Sequence, residues 1–420
     1  MSALAVRGGA FLHGLATDFF LAYRNVARQG HRSLVAMGAI IAGVALYILA
    51  AGFIDWSLRM GREWTIRAHL GHLQVAKRGY FESGAADPWA FLIDPQVDVE
   101  GALRGSREIT ETAPRLSFSG LVSLGDATLS FSGEGVDPRR EGGLARAVVI
   151  ERGQPLDAND PRGVILGQGL ALNLGAKVGD TVVLLATTRT GGVNAVEARV
   201  RGLFSTVTKA YDDYALRAPI GLVQELLRAS GAHKWLVLLN ETEATPEVLA
   251  RLRPRLEALG LEIVPWFQLA DFYNKTAALF KRQVGFVKLI IAVIIVLSIS
   301  NVLTMSVLER TWEIGTALAL GAKRRQIMQR FVGEGLLIGL AGGGLGALLG
   351  AVAAAAISAV GIPMPPAPGM GRGYTAEIAV SWSLTADAAL LALVTAFFAS
   401  LYPAWKAASL PIVDALRHSR

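Results

Sequence analysis

The sequence predicts a membrane protein with four transmembrane α-helices and an α+β extracytoplasmic domain inserted between helices 1 and 2. Three observations predict this fold class: an apolar composition, four long apolar runs, and a basic excess that lies beside those runs. Hydrophobic residues make up 52% of the 420 residues and charged residues only 18%, whereas soluble domains carry about 25% charged residues. The mean hydropathy of +0.42 agrees with this interpretation.

Four apolar runs predict the membrane spans, because a helix needs about 20 apolar residues to cross the hydrocarbon core of a bilayer. The predicted spans are residues 34–54, 289–308, 335–360 and 388–405, of which the last is the shortest. The first run is longer than the apolar core of a cleaved signal peptide, which has about 7–15 residues. We therefore expect it to remain as a membrane anchor.

The distribution of charge predicts the orientation of the spans. Residues 1–33, 309–334 and 404–420 together account for the whole net charge of +7. Arg24, Arg28 and Arg32 stand directly before the first run. Basic residues favour the cytoplasmic side, so both termini are expected in the cytoplasm. The basic residues form no patch elsewhere, and we therefore expect no nucleic-acid partner.

This orientation assigns each part of the chain to a compartment. The N-terminal segment 1–33, the segment 309–334 and the tail 406–420 are predicted to be cytoplasmic. The segment 55–288 and the shorter loop 361–387 are predicted to lie outside.

The long outer segment reads as a folded α+β domain. Strand-like runs are separated by turn signals such as Gly125-Asp126. Near its end, Lys234–Asn240 and Leu261–Phe267 are predicted strands that flank a helix over Thr245–Leu259, with Thr245 as the N-cap. Residues 271–288 then resume a helical pattern that runs without a break into the second span, and we expect a helical stalk there.

Signatures of enzymes are absent from the sequence. It contains no cysteine, no phosphate-binding loop of the form G-x-x-x-x-G-K-[ST], and no H-E-x-x-H or G-x-S-x-G motif. His69 and His72 lack a third ligand, so we expect neither a metal nor a cofactor. Asp212-Asp213 is interpreted as a solvated loop rather than as a paired-carboxylate site. The chain is therefore not expected to be an enzyme.

The third run carries glycines at intervals of four residues, a spacing that allows helices to approach closely in lipid. One series is Gly335, Gly339 and Gly343, and a second is Gly342, Gly346 and Gly350. Both series are candidates for transmembrane packing. The sequence leaves open whether they pack within one chain or between two subunits.

The most informative segment lies between the second and third runs. Glu309-Arg310, Glu313-Ile314-Gly315, Ala319, Gly321-Ala322, Ile327 and Glu334 stand at fixed spacings. This pattern resembles the signature of FtsX-type permeases of ABC transporters, the family of the MacB exporters and the lipoprotein-releasing Lol permeases. Leu318 departs from it, because many relatives have arginine there.

Other segments extend the resemblance over nearly the whole chain. Tyr23–Arg28 resembles the family's amphipathic N-terminal segment, and Pro403–Ala408 with Pro411–Arg417 resembles its ending. Gly163–Gly179 resembles the external domain of the lipoprotein-releasing branch.

The resemblance implies a bacterial inner-membrane permease subunit that transmits ATP hydrolysis in a separate cytoplasmic ABC ATPase to its periplasmic domain. It also implies a second permease chain, identical or paralogous, and a periplasmic adaptor or carrier as a further partner. Lipoprotein release or related export is favoured over MacB-like efflux, and a non-transporting FtsX-like signal transmitter remains an alternative. The implied ATPase-coupling residues are Glu309, Arg310, Glu313, Ile314, Gly315, Gly321, Ala322, Lys323, Arg324 and Arg325.

Two further expectations concern this segment. Gly315 and Gly321 are expected to bracket a short helix, because glycine is favoured where a helix ends or a backbone approaches closely. From the residues alone, a basic amphipathic helix between two spans could also lie on anionic membrane lipid. Both the ATPase and the lipid surface are therefore candidate partners of Lys323, Arg324 and Arg325.

Overall fold

The computed structural model describes residues 30–84, 86–144, 148–206, 209–365 and 373–412. The expectations for the N-terminal segment before residue 30 and for residues 413–420 fall outside this range. The chain forms two compact units. The helical unit comprises the described parts of Met1–Leu58, Ala277–Ile362 and Thr375–Arg420, and the inserted unit comprises those of Arg59–Thr276 and Pro363–Tyr374.

The elements alternate from a long helix to a strand-rich region and back to long helices. The described α-helices are α1 (Gly30–Thr65), α2 (Tyr80–Ser83), α3 (Val99–Leu103), α4 (Gln168–Leu174), α5 (Lys209–Asp212), α6 (Ile220–Leu227), α7 (Thr245–Glu257), α8 (Trp266–Leu269), α9 (Asp271–Glu309), α10 (Thr311–Ala319), α11 (Arg324–Val360) and α12 (Trp382–Ser409). The strands are β1 (Leu73–Lys77), β2 (Ile109–Leu124), β3 (Ala127–Val136), β4 (Val149–Gly153), β5 (Gly163–Gly167), β6 (Thr181–Thr187), β7 (Val193–Ser205), β8 (Ala215–Pro219), β9 (Lys234–Leu239), β10 (Leu261–Pro265), β11 (Ile362–Met364) and β12 (Tyr374–Ala376).

Four of the described helices, namely α1, α9, α11 and α12, are long and apolar enough to cross a membrane. This confirms the predicted fold class. The fourth helix extends well beyond the apolar run that predicted it, since it begins at Trp382, with its N-cap Ser381 accepting a hydrogen bond from the Leu384 N–H. Trp382 and Trp405 are 90% and 61% exposed near its two ends, which is the placement that aromatic side chains favour at membrane interfaces.

Small residues hold α11 against its neighbours in the helical unit. A Cβ added at Gly339 or Gly343 would meet the Cβ of Ala396 or Ala392 on α12 at 2.3 and 2.8 Å. The second glycine series packs on α1: at Gly346 the same Cβ would lie 2.8 Å from the Cβ of Val44. Close approach of helix backbones provides much of the attraction between helices in lipid. Both glycine series are therefore occupied by contacts within the chain.

The inserted unit is built on a ten-stranded mixed sheet with the order β10-β1-β9-β2-β3-β8-β5-β7-β4, and β6 pairs with β2 and β7. One apolar core packs α4 and α6 on the sheet, and a second core packs α3 and α7 over β1, β9 and β10. The predicted β-α-β pattern is present as β9, α7 and β10. β1 lies between its two strands and is antiparallel to both.

One detail of that pattern was wrong. Thr245 is the first residue of α7 rather than its N-cap, and its hydroxyl donates to the Thr242 carbonyl at 2.6 Å. The 3₁₀ turn Thr242–Ala244 precedes the helix and supplies this acceptor. Thr245 therefore already has helical dihedral angles, φ −52° and ψ −47°, and its hydroxyl bonds back into the preceding turn.

Candidate functional site

The segment between α9 and α11 is the candidate coupling site. Helix α9 ends at Glu309, and α10 begins at Thr311. Arg310 lies between them with φ −106° and ψ 15°, away from helical geometry. The hydrogen-bond ladder nevertheless continues, because the Arg310 N–H donates to the Ser306 carbonyl and the Ile314 N–H to the Arg310 carbonyl. The chain therefore bends at Arg310 without a loop.

Glycine ends α10 in a conformation that other residues rarely adopt. Gly321 has φ +98°. Its N–H donates to the Leu318 carbonyl at 3.1 Å, and the Ala322 N–H donates to the Ala317 carbonyl at 3.0 Å. This pair of bonds is the Schellman motif. Gly321 thus ends the helix as expected, but the bracketing role of Gly315 was wrong, since Gly315 lies buried in the middle of α10.

An ion-pair network fixes the bend to α11. The Arg310 guanidinium bonds Oε1 of Glu334 at 2.8 Å and Oε2 of Glu313 at 3.1 Å. It also lies 5.6 Å from the centroid of the Phe331 ring. The Glu334 side chain is only 5% exposed. The structure thus brings together three separate residues of the sequence motif, Arg310, Glu313 and Glu334. It adds Phe331, which the sequence did not indicate.

The predicted coupling residues divide into an inner and an outer set. Ile314 and Gly315 are buried, whereas Arg310 and Ala322 are half-buried, and Ala322 packs against the core of the helical unit. The exposed members are Glu309, Glu313, Gly321, Lys323, Arg324 and Arg325. Beside them, Leu320 and Trp312 are 84% and 53% exposed. Trp312 stands between the motif residues Arg310 and Glu313, and nothing in the motif indicated that its ring is exposed.

A second group of polar contacts lies in the inserted unit, where α1 meets the sheet. Glu63 near the end of α1 accepts a hydrogen bond from the Thr242 hydroxyl at 2.8 Å. The same hydroxyl lies 2.9 Å from Nε2 of His72, whose Nδ1 accepts from the Leu239 N–H at 3.0 Å. The Leu239 N–H fixes the tautomer, so His72 Nε2–H donates to Thr242, which donates to Glu63.

Burial keeps His72 neutral and lowers its pKa to about 4. The π-helical turn Ile66–Leu70 follows α1, and Arg217 of β8 donates to the Ala68 carbonyl at 3.2 Å within it. The end of α1 is thus bonded to the 3₁₀ turn Thr242–Ala244, and the π-helical turn that follows it is bonded to β8. His72 therefore links the end of α1 to β9 through hydrogen bonds. The side chain of His69 lies outside the described residues.

An open pocket of about 1000 Å³ lies between α4, α5 and β4 and is lined by Glu151, Asp212 and Asp213 among others. The interpretation of Asp212 as a solvated loop residue was wrong. Its side chain is buried and accepts hydrogen bonds from the N–H and hydroxyl of Thr206. Burial raises the pKa of Asp212. Within the described residues, no group of three or more His, Asp or Glu side chains could hold a metal ion.

Two family comparisons match this architecture. Residues 33–255 match the family described as the MacB-like periplasmic core domain. Residues 285–412 match the family described as the C-terminal part of FtsX-like permeases. The first match covers the first span and most of the inserted unit, and the second covers the coupling segment and the remaining spans.

Individual relatives agree with the family matches. An ABC transporter permease of Methanocaldococcus jannaschii is 28% identical over 285 residues, which are 64% of this chain and 65% of the relative. The lipoprotein-releasing system transmembrane protein LolC of Neisseria meningitidis is 26% identical over 94% of this chain and 97% of its own length. The macrolide export protein MacB of Sodalis glossinidius is 35% identical, but over only 34% of this chain and 20% of its own length.

Among solved structures, the extracellular domain of the ABC-type transporter YknZ from Gram-positive bacteria matches 46% of this chain and 98% of its own length, with a TM-score of 0.34 and 12% identity. The two family matches together span the four apolar helices and most of the inserted unit. The chain therefore belongs to the FtsX-like family of ABC transporter permeases and carries a MacB-like periplasmic core domain between its first and second spans.

Proposed function

We propose that this chain is the membrane subunit of an ABC system in which a separate cytoplasmic ATPase drives motion of the periplasmic domain. The observation that carries the proposal is the division of the coupling segment into a buried and an exposed face. Ile314 anchors α10 inside the helical unit, while Leu320 and Trp312 remain exposed. An exposed leucine and tryptophan beside a basic cluster form a suitable surface for a protein partner.

The proposed orientation places this segment and both termini in the cytoplasm of a bacterium and the inserted unit in the periplasm. The net charge of the segments beside the spans supports it. The exposed residues Lys323, Arg324 and Arg325 follow the Schellman turn at the start of α11. Their charge favours either acidic groups on an ATPase or anionic lipid headgroups. The exposed leucine and tryptophan favour the ATPase as the main partner.

Lipoprotein release or a related export task is the favoured role. LolC of Neisseria meningitidis aligns over almost its whole length, whereas the MacB of Sodalis glossinidius matches over a fifth of its own. A second permease chain and a periplasmic adaptor or carrier complete the proposed assembly. The alternatives are MacB-like efflux and an FtsX-like transmitter that activates a periplasmic partner without moving a substrate.

Co-purification with the cognate ABC ATPase tests the docking surface. Leu320→Asn removes an exposed apolar side chain and leaves the buried contacts of α10 in place. We expect it to reduce ATPase recovery and the stimulation of ATP hydrolysis. Leu259→Asn, at a 43% exposed leucine of the inserted unit, is the matched control and should behave as wild type. Equal recovery with both variants would contradict docking through α10.

A further inference from the structure

The second span is held in the helical unit by an aliphatic ridge that repeats every four residues. Ile291, Ile295, Ile299 and Leu303 of α9 are each no more than 2% exposed. A ridge of similar side chains at four-residue spacing packs well into the grooves of neighbouring helices. It presents nearly the same surface after a shift of about one helical turn, or about 5.4 Å. The ridge therefore stabilises contact but selects the axial position of α9 only weakly.

Polar contacts supply that selection: the Ser300 hydroxyl donates to the Ala399 carbonyl of α12 at 2.8 Å, and an ion pair lies at each end of the segment of α9 between Lys288 and Arg310. At one end, Lys288 Nζ lies 2.7 and 2.9 Å from the two carboxylate oxygens of Asp387 on α12. At the other end, Arg310 pairs with Glu334 on α11. Lys288 and Arg310 are 22 residues apart in the sequence, a distance of about 33 Å along a helix. The two pairs therefore lie about one membrane thickness apart.

The pair at Lys288 is reinforced by a third helix. The Tyr47 hydroxyl of α1 donates to Oδ2 of Asp387 at 2.7 Å, and the Tyr47 side chain is buried. Asp387 lies five residues into α12 from Trp382, about 7.5 Å along the helix axis. The Lys288 and Asp387 side chains are 37% and 40% exposed, and charged groups at the edge of a membrane span are commonly paired. The carboxylate of Asp387 joins α1, α9 and α12 at one point.

The two helices against which α9 packs, α11 and α12, are closely packed against each other. Gly335 lies against Ser400, so that a Cβ added to it would come within 2.6 Å of the serine Cβ. With the contacts of Gly339 and Gly343 described above, α11 and α12 form one closely packed pair. Helix α9 meets this pair through longer side chains and is continuous from Asp271 to Glu309. An axial displacement at Arg310 therefore carries Lys288 with it.

We propose that Lys288, Asp387 and Tyr47 form a register lock, a cluster of positioning residues that sets the resting axial position of α9. The inference rests on the proposed coupling function, because displacement at the α10 end is the event that the lock resists. Breaking the Lys288–Asp387 pair frees α9 to occupy a second position along its ridge. The effect then appears at the far end of the helix, where no atom of the lock is present.

Spin-label distances in the chain alone test this proposal. The chain has no native cysteine, so introduced cysteines are the only labelled sites. Leu308→Cys with Leu340→Cys reports the Arg310 end of α9, and Leu289→Cys with Leu390→Cys reports the Lys288 end. All four leucines are exposed. The labelled protein is reconstituted in vesicles of phosphatidylethanolamine and phosphatidylglycerol, without ATPase or nucleotide, so the result is independent of docking.

We expect Asp387→Asn to add a second distance population at both label pairs. Tyr47→Phe removes one hydrogen bond to Asp387 but keeps the ion pair, so it should add a smaller second population than Asp387→Asn at both label pairs. The exchange Lys288→Asp with Asp387→Lys should restore the single resting population at both ends. A change confined to the Leu289–Leu390 pair, with an unchanged distance at Leu308–Leu340, would overturn the proposal, because the cluster would then stabilise only its own surroundings. Where Asp387→Asn does not fold, Lys288→Gln is measured and judged by the same two distances.

Discussion

The Arg310–Glu334 pair allows a quantitative test of how the bend at α10 is held. Arg310→Met keeps an unbranched side chain beside Phe331 but removes the charge that faces a carboxylate only 5% exposed. Removal of one partner of a buried ion pair costs about 3–5 kcal/mol. We expect a loss of this size in the free energy of unfolding. Glu313→Gln is the matched control, because that carboxylate is 52% exposed and such a pair contributes about 0–1 kcal/mol.

A double variant separates the ion pair from general damage at the site. Replacement of both partners of a buried pair with apolar groups is often close to neutral, so Arg310→Met with Glu334→Leu should recover most of the stability lost by Arg310→Met. The assay is unfolding of the purified chain in mixed micelles by titration with sodium dodecyl sulfate, followed by circular dichroism. The reasoning is refuted if Arg310→Met costs no more than Glu313→Gln, or if the double variant is no more stable than the single one.

Three further outcomes are expected. Gly343→Val should destabilise the helical unit by about 1–3 kcal/mol through overpacking. Gly344→Val is the control and should not, because an added Cβ there meets no described atom within 4 Å. The same detergent titration measures both variants, and equal losses of stability would contradict the close packing. Folding lowers the pKa of His72 to about 4, so its contribution of about 3 kcal/mol to the free energy of unfolding is complete above pH 6.5 and is lost as the pH falls toward 4. Limited proteolysis of the wild-type chain should detect this loss, and a stability that does not change with pH over that interval would refute it. Reporter fusions at residue 150 should report the periplasm and fusions at 325 and 420 the cytoplasm, and a cytoplasmic signal at 150 would reverse the proposed orientation.

The spans could be predicted because membrane insertion depends on composition over about 20 residues, which a sequence shows directly. The start of the fourth helix could not, because Asp387 interrupts the apolar pattern and its charge is paired with Lys288, a residue 99 positions earlier. The β-α-β pattern could be predicted because its helix begins with Thr-Pro-Glu and is followed by Gly260, both local signals.

The functional geometry depends on contacts that no local pattern encodes. The motif placed Arg310, Glu313 and Glu334 at fixed spacings, but their meeting required α11 to fold back beside α9. The two glycine series looked equivalent in the sequence, yet one faces α12 and the other α1. His72 was read as half of a weak metal motif, and the position of the Leu239 N–H, 167 residues away, gives its ring a defined tautomer.

The measurement that tests the central claim most directly is a nucleotide-dependent distance between the two units of the chain. Cysteines introduced at Leu172 of the inserted unit, which is 81% exposed, and at Leu340 of the helical unit are spin-labelled in the complex with the ATPase. The account predicts that ATP shifts the distance distribution in the wild-type background and that Leu320→Asn abolishes the shift. An unchanged distribution while the wild-type complex hydrolyses ATP would contradict the claim that this chain carries the motion to its periplasmic domain.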